Sequence, residues 1–127
     1  MKLVEEIPLP NKLVMEIWDD SRPIADDTSK VALFIKINVE VKPEYFARRE
    51  DFEEVQKIFG SEIQFEYKLE RPFVKNQEKE GVSKELLKAF KKDSLPYLSK
   101  PKFPESFVLS KHLDIQKNPY KYRDYPA

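Results

Sequence analysis

An α+β fold is what this sequence predicts: a small three-stranded sheet, mixed or antiparallel, packed with two helices and a Pro-rich C-terminal arm. Three observations point to it. Two segments alternate apolar and polar residues at period two, two others carry apolar residues at helical spacing, and prolines recur from Pro96 onward.

The first expected strand is KLVMEIW, Lys12 to Trp18, with Leu13, Met15 and Ile17 on one side. The clearest is KVALFIKINVEVK, Lys30 to Lys42, where Val31, Leu33, Ile35, Ile37, Val39 and Val41 alternate with mostly polar neighbours. Successive side chains on a strand point to opposite faces, so this pattern predicts one fully buried face. The long strand also offers a possible sheet edge to a partner. Pro43 ends it, and Arg49 to Phe59 then places Phe52, Val55, Ile58 and Phe59 on a helical stripe closed by Gly60. Acidic residues fill the first turns of that helix and Lys57 lies near its end, as the helix dipole favours.

SEIQFEYKLE, Ser61 to Glu70, is the third strand, with Ile63, Phe65, Tyr67 and Leu69 inward. A second helix is expected from an N-cap at Ser83, its apolar stripe formed by Leu86, Leu87 and Phe90. Pro96 is expected to end it and to open an extended path. Residues 104–116 fit a short helix or a strand equally, and the tail from Lys117 is expected to be extended. The whole chain, 1–127, then reads as a single domain with its core in 12–95 and a Pro/Tyr-rich arm in 96–127.

The chain has 127 residues, enough to bury roughly two-thirds of the surface its unfolded form exposes. With 40% apolar and 36% charged residues it reads as soluble and folded. The absence of cysteine excludes disulfides and thiolate chemistry, and no apolar run approaches the ~20 residues that a membrane span needs. Glu5, Glu6 and the early prolines do not suit a signal peptide, so a cytoplasmic location is expected. With only Gly60 and Gly81, no glycine-rich phosphate loop can be written, and no nucleotide or other cofactor is expected.

Net charge is zero but uneven along the chain. Residues 1–70 carry 10 basic against 16 acidic side chains, and residues 71–127 carry 13 against 7. Such asymmetry suits either packing of the halves on each other or an anionic partner for the basic one.

Two clusters are candidate sites. WDDSRPIADD places Asp19, Asp20, Arg22, Asp26 and Asp27 in what reads as an eleven-residue polar connection, Asp19 to Ser29, between two strands. It lacks the glycine and alternating ligands of a calcium loop, and Arg22 supplies a counter-ion. The segment therefore reads as a turn or an acidic interaction loop before a divalent-metal site. The second cluster is basic: Lys84, Lys88, Lys91 and Lys92 on the second helix and Tyr120, Lys121, Tyr122 and Arg123 in the tail could contact phosphates and stack on bases.

His112, the single histidine, has Ser110 and Asp114 two residues away on either side, but no serine has the glycines of a nucleophile elbow. PKFP, Pro101 to Pro104, meets only the minimal spacing of a polyproline ligand. The expected function is accordingly a non-enzymatic module for a protein partner or for self-association. Nucleic-acid binding through the basic half is the first alternative, and a metal-dependent enzyme built on Asp19 to Asp27 is the second.

Overall fold

In the computed structural model, which describes residues 1–122, the segment with six alternating apolar residues lies inside the sheet and not at its edge. The strands are β1 (Lys2–Pro8), β2 (Val14–Asp19), β3 (Arg22–Ala25), β4 (Thr28–Glu40) and β5 (Glu62–Lys75). The helices are α1 (Arg49–Phe59), α2 (Lys79–Leu98), α3 (Phe103–Lys117) and the single turn α4 (Pro119–Tyr122). The fold is α+β as expected, but the sheet has five strands instead of three, and it is antiparallel. β4 has β2 and β3 as neighbours on one side and pairs with β5 on the other, so β1, β3 and β5 each have one edge unpaired among the described residues. The chain divides into two compact units, Met1–Ile37 with Glu66–Lys100 and Asn38–Phe65 with Pro101–Ala127.

In the first unit the expected inward face of β4 is buried: Val31, Leu33, Ile35 and Ile37 are at most 2% exposed. β2 sets Met15 opposite Ile37 and Ile17 opposite Ile35, which gives the sheet a continuous apolar face. Leu86 of α2 joins Val31, Leu33 and Val74, with Leu69, Val82 and Leu87 packed around them. A helical stripe thereby covers a period-two face.

The supposed eleven-residue loop is mostly strand. β2 pairs Asp19 with Leu33, and β3 pairs Arg22 with Lys30 and Pro23 with Ser29, so one register continues through both. Between them the Asp20 N–H donates to the Ala32 carbonyl at 2.9 Å, and the Ser21 hydroxyl accepts from the Ala32 N–H at 3.1 Å. The actual turn is Asp26–Asp27, between the paired residues Ala25 and Thr28. Neither aspartate has a positive φ. The turn is thus not one of the mirror-image types whose twist matches a hairpin, and a bulge at Ile24 absorbs the mismatch. Asn76 closes the turn, donating from its side chain to the Asp26 carbonyl at 3.2 Å and from its backbone to that of Asp27 at 2.9 Å.

β1 was not expected, because Glu5, Glu6 and Pro8 hide its alternation. It pairs with β2 through a bulge between Leu3 and Glu5. The two strands turn at Leu9 to Leu13, where Lys12 has φ 73° and the Asn11 side chain accepts from the Leu13 N–H. The Asn11 amide then donates to the carbonyls of Leu98 and Lys100 at 2.8 and 2.9 Å. It thereby satisfies the open C-terminal end of α2 from 87 residues away in sequence.

α2 begins at Lys79, one turn before the expected cap at Ser83, and it continues through Pro96. Proline removes one intrahelical donor. The helix nevertheless reaches Leu98, which is 2% exposed, so burial and the Asn11 cap hold its final turn.

In the second unit α1 spans the expected residues, with Phe52 and Val55 buried and Gly60 at φ 86° donating to the Gln56 carbonyl. The expected extended arm is mostly helix. α3 starts with Pro104 at its first positions, where a missing N–H costs nothing, and it buries Phe103, Val108 and Ile115. PKFP therefore runs into a helix and not along a polyproline path. Phe65 meets Phe103 and Phe107 edge-on at 5.8 and 5.7 Å, while Phe59 meets Tyr122 at 5.6 Å. The division into units also redistributes charge. The first holds 14 basic and 13 acidic residues and the second 9 and 10, so each is close to neutral although the two halves of the sequence are not.

Candidate functional site

The hairpin separates the four aspartates into two pairs. Asp19 and Asp20 lie where β2 passes into β3, and Asp26 and Asp27 form the far turn, roughly 20 Å along an extended strand. Each pair is already engaged locally. Asp19 accepts from the Ser21 N–H at 2.8 Å, Asp20 pairs with Arg22 at 3.2 Å, and Asp27 accepts from the Thr28 hydroxyl at 3.0 Å. Among the described residues no group of three or more His, Cys, Asp or Glu side chains is placed to hold a metal ion. The expected acidic interaction loop is therefore a hairpin arm with a carboxylate pair at each end.

The basic candidates fall in both units. Lys84, Lys88 and Lys92 are exposed on α2 and form no ion pair among the described residues, while Lys91 reaches Glu5 of β1 at 3.0 Å. In the tail Tyr120 is 80% exposed, but Tyr122 is 7% exposed, and Lys121 pairs with Asp114 at 3.4 Å. Arg123 lies outside the described residues. The Tyr122 ring is packed on Phe59 and its hydroxyl donates to Asp114, which removes it from any base-stacking surface.

Asp114 and His112, neighbours in sequence, do unrelated work. Hydrogen bonds from Tyr122, then Lys121 and Asn118, hold the Asp114 carboxyl below the usual carboxylate range against some desolvation. A depressed folded value means that this stabilisation is present above about pH 4 and is lost as pH falls through the folded value. An NMR titration of Asp114 is expected to show a midpoint below the ordinary one, and Tyr122→Phe should move it upward. An unchanged midpoint in that variant would show that the hydroxyl is not the cause.

His112 sits on α3 with its side chain 13% exposed, its ring edge-on to Phe46 at 5.9 Å and Nε2 3.5 Å from Asp51 Oδ1 on α1. Ser110 donates instead to the Phe107 carbonyl at 2.6 Å. On a helix, residues two apart do not share a face, so Ser110, His112 and Asp114 form no relay. His112 is a half-buried packing residue between aromatic and acidic neighbours.

The other face of the sheet in the first unit carries a ladder of charge and aromatic rings. Trp18 donates to Glu16 at 3.1 Å and lies under Lys36, whose nitrogen is 5.6 Å from the ring centroid. Lys68 covers Phe34 at the same distance and pairs with Glu70 at 3.0 Å, and Lys30 reaches Glu70 at 2.9 Å. Lys30 and Lys68 hold the Glu70 carboxyl below its ordinary range. Two open clefts flank α2. One, of about 720 Å³, is lined by the apolar Val4, Leu33 and Leu87 together with Lys79, Lys84 and Asp19. The other, of about 580 Å³, runs past Phe73, Val82 and Ala89.

The remaining distinctive geometry is the outer edge of β5. Alternation along β5 places Ile63 and Leu69 on the more buried face, yet the next buried residue is Val74 and not Phe73, which is 80% exposed. The period changes between Leu69 and Val74, around Pro72, as happens where a strand bulges. Up to Glu70 the even residues keep to one face, where Gln64 meets Asn38, Lys68 covers Phe34 and Glu70 takes Lys30. SEIQFEYKLE alternates as a strand does, but nothing local in it marks an outermost position, because only the pairing of β2 and β3 on the other side of β4 decides that.

No family model matches this sequence, and neither a curated protein nor a solved structure is significantly similar to it.

Proposed function

We propose that this protein is a non-enzymatic interaction module that engages its partner, foremost a second copy of itself, by adding a strand to the edge of its sheet. The observation that carries this reading is β5, an outermost strand of fourteen residues beside which no further strand lies among the described residues. An outermost strand presents unpaired N–H and C=O groups that template another strand, and proteins usually blunt such an edge. β1 is blunted by its bulge, by adjacent Glu5 and Glu6 and by Pro8, and β3 is only four residues long with Pro23 inside it. β5 is interrupted only beyond Glu70.

Further support comes from the candidate residues. Asp19, Asp20, Asp27 and the tail tyrosine Tyr122 have structural partners, so metal binding and nucleic-acid stacking would draw on groups already in use. Sedimentation velocity at micromolar concentration is expected to show a reversible dimer whose population rises with concentration. A strict monomer at both low and high salt would sink the self-association reading.

A further inference from the structure

We propose that two copies of this protein pair through β5 in antiparallel register about a two-fold axis at Tyr67, so that Glu66 of each copy faces Lys68 of the other. This deepens the self-association reading and rests on it.

The register follows from which backbone groups point outward. The Ala32 carbonyl accepts from the Asp20 N–H, on the side of β2 and β3, so the even-numbered residues of β4 bond in that direction and the odd-numbered ones bond toward β5. Lys68 lies over Phe34, which puts even residues of the two strands on the same face and so pairs odd residues with odd ones. The N–H and C=O groups of Glu66, Lys68 and Glu70 therefore point away from β4, toward the open edge.

A two-fold antiparallel pair must match outward-pointing residues with each other, which leaves few registers. An axis at Phe65 would set Glu66 against the neutral Gln64. One at Leu69 would set Lys68 against Glu70, already paired within its own chain, and Glu66 against Pro72, which has no N–H. An axis at Lys68 would set lysine against lysine and Glu66 against Glu70, and an axis at Glu66 would set glutamate against glutamate. Like charges directly opposite are destabilising. With the axis at Tyr67, Glu66 meets Lys68 twice, once on each side.

The side chains suit that arrangement. Glu66 is exposed and has no hydrogen bond or ion pair among the described residues, so its carboxylate is free to take a partner. Lys68 keeps an exposed ammonium beside Glu70, at 41% side-chain exposure. Tyr67 is half exposed with its ring 5.6 Å from that of Phe90, which would bring two such tyrosines together at the axis. Such a contact uses the same patch on both copies and closes on itself.

The test is a charge exchange read by sedimentation. E66K places lysine opposite lysine and should raise the dimer dissociation constant about tenfold or more. K68E places glutamate opposite glutamate and should do the same. An equimolar mixture of the two restores opposite charges at both positions, and it should dimerise as well as the parent although neither variant does alone. Far-UV circular dichroism of E66K checks that the exposed substitution leaves the fold intact. A parent dimer that E66K leaves unchanged would overturn this register while the self-association reading stands. A parent chain that stays monomeric at every concentration and salt would overturn both.

Discussion

Replacing Ile35 with alanine is expected to lower stability by about 2–5 kcal/mol, measured by urea denaturation followed with far-UV circular dichroism. Ile35 is 0% exposed at the middle of β4 and faces Ile17 across the strand pair. The substitution removes three carbons, worth roughly 2.4 kcal/mol of transfer at ~0.8 kcal/mol each, before any cavity is counted. Met15, Ile17, Leu33 and Ile37 are also almost fully buried, so the surroundings have little room to collapse. Ile24→Ala is the control. Its side chain is 48% exposed on the hairpin arm, and the loss there should stay within about 0.5 kcal/mol. Equal effects at the two positions would mean that the apolar face of β4 is not the core.

Substituting alanine at the two glycines should move stability in opposite directions. Gly60 has φ 86° and ψ −162°, a combination essentially confined to glycine, and holding alanine there costs about 1–3 kcal/mol. No atom lies within 4 Å of an added Cβ at either glycine, so crowding plays no part and the backbone alone decides the sign. Gly81 stands in the first turns of α2 without a positive φ, and Gly81→Ala should stabilise by about 0.4–1 kcal/mol by restricting the unfolded chain. Thermal melts of both variants check this. A neutral Gly60→Ala would show that the turn after α1 relaxes without cost.

What the residues disclosed depended on how local the deciding physics was. The alternation from Val31 to Val41 and the stripe of Phe52, Val55 and Ile58 ending at Gly60 were legible because burial and cap act within a few residues. The helix through Pro96 was not, since the Asn11 amide that satisfies its end comes from the opposite end of the sequence. β3 was hidden for a related reason. Arg22 to Ala25 look like a polar loop, and only the register inherited from β2 makes them a strand. Phe103 to Lys117 left the period open because its buried positions, 103, 104, 108 and 115, are too sparse to mark one face. The acidic cluster drew attention through composition, whereas the edge formed by Glu66 and Lys68 is defined only by which strand lies outermost.

Trp18 gives the molecule a built-in spectroscopic reporter. It is the only tryptophan, and it lies between the Lys36 ammonium and the Glu16 carboxylate on the sheet of the first unit. Its emission therefore follows the separation of β2 from β4, whereas the second unit, with α1 and α3, contains no indole. Ellipticity draws on helices in both units. Superimposed denaturation curves from the two signals would define one cooperative transition, and displaced curves would assign a separate free energy of unfolding to each unit.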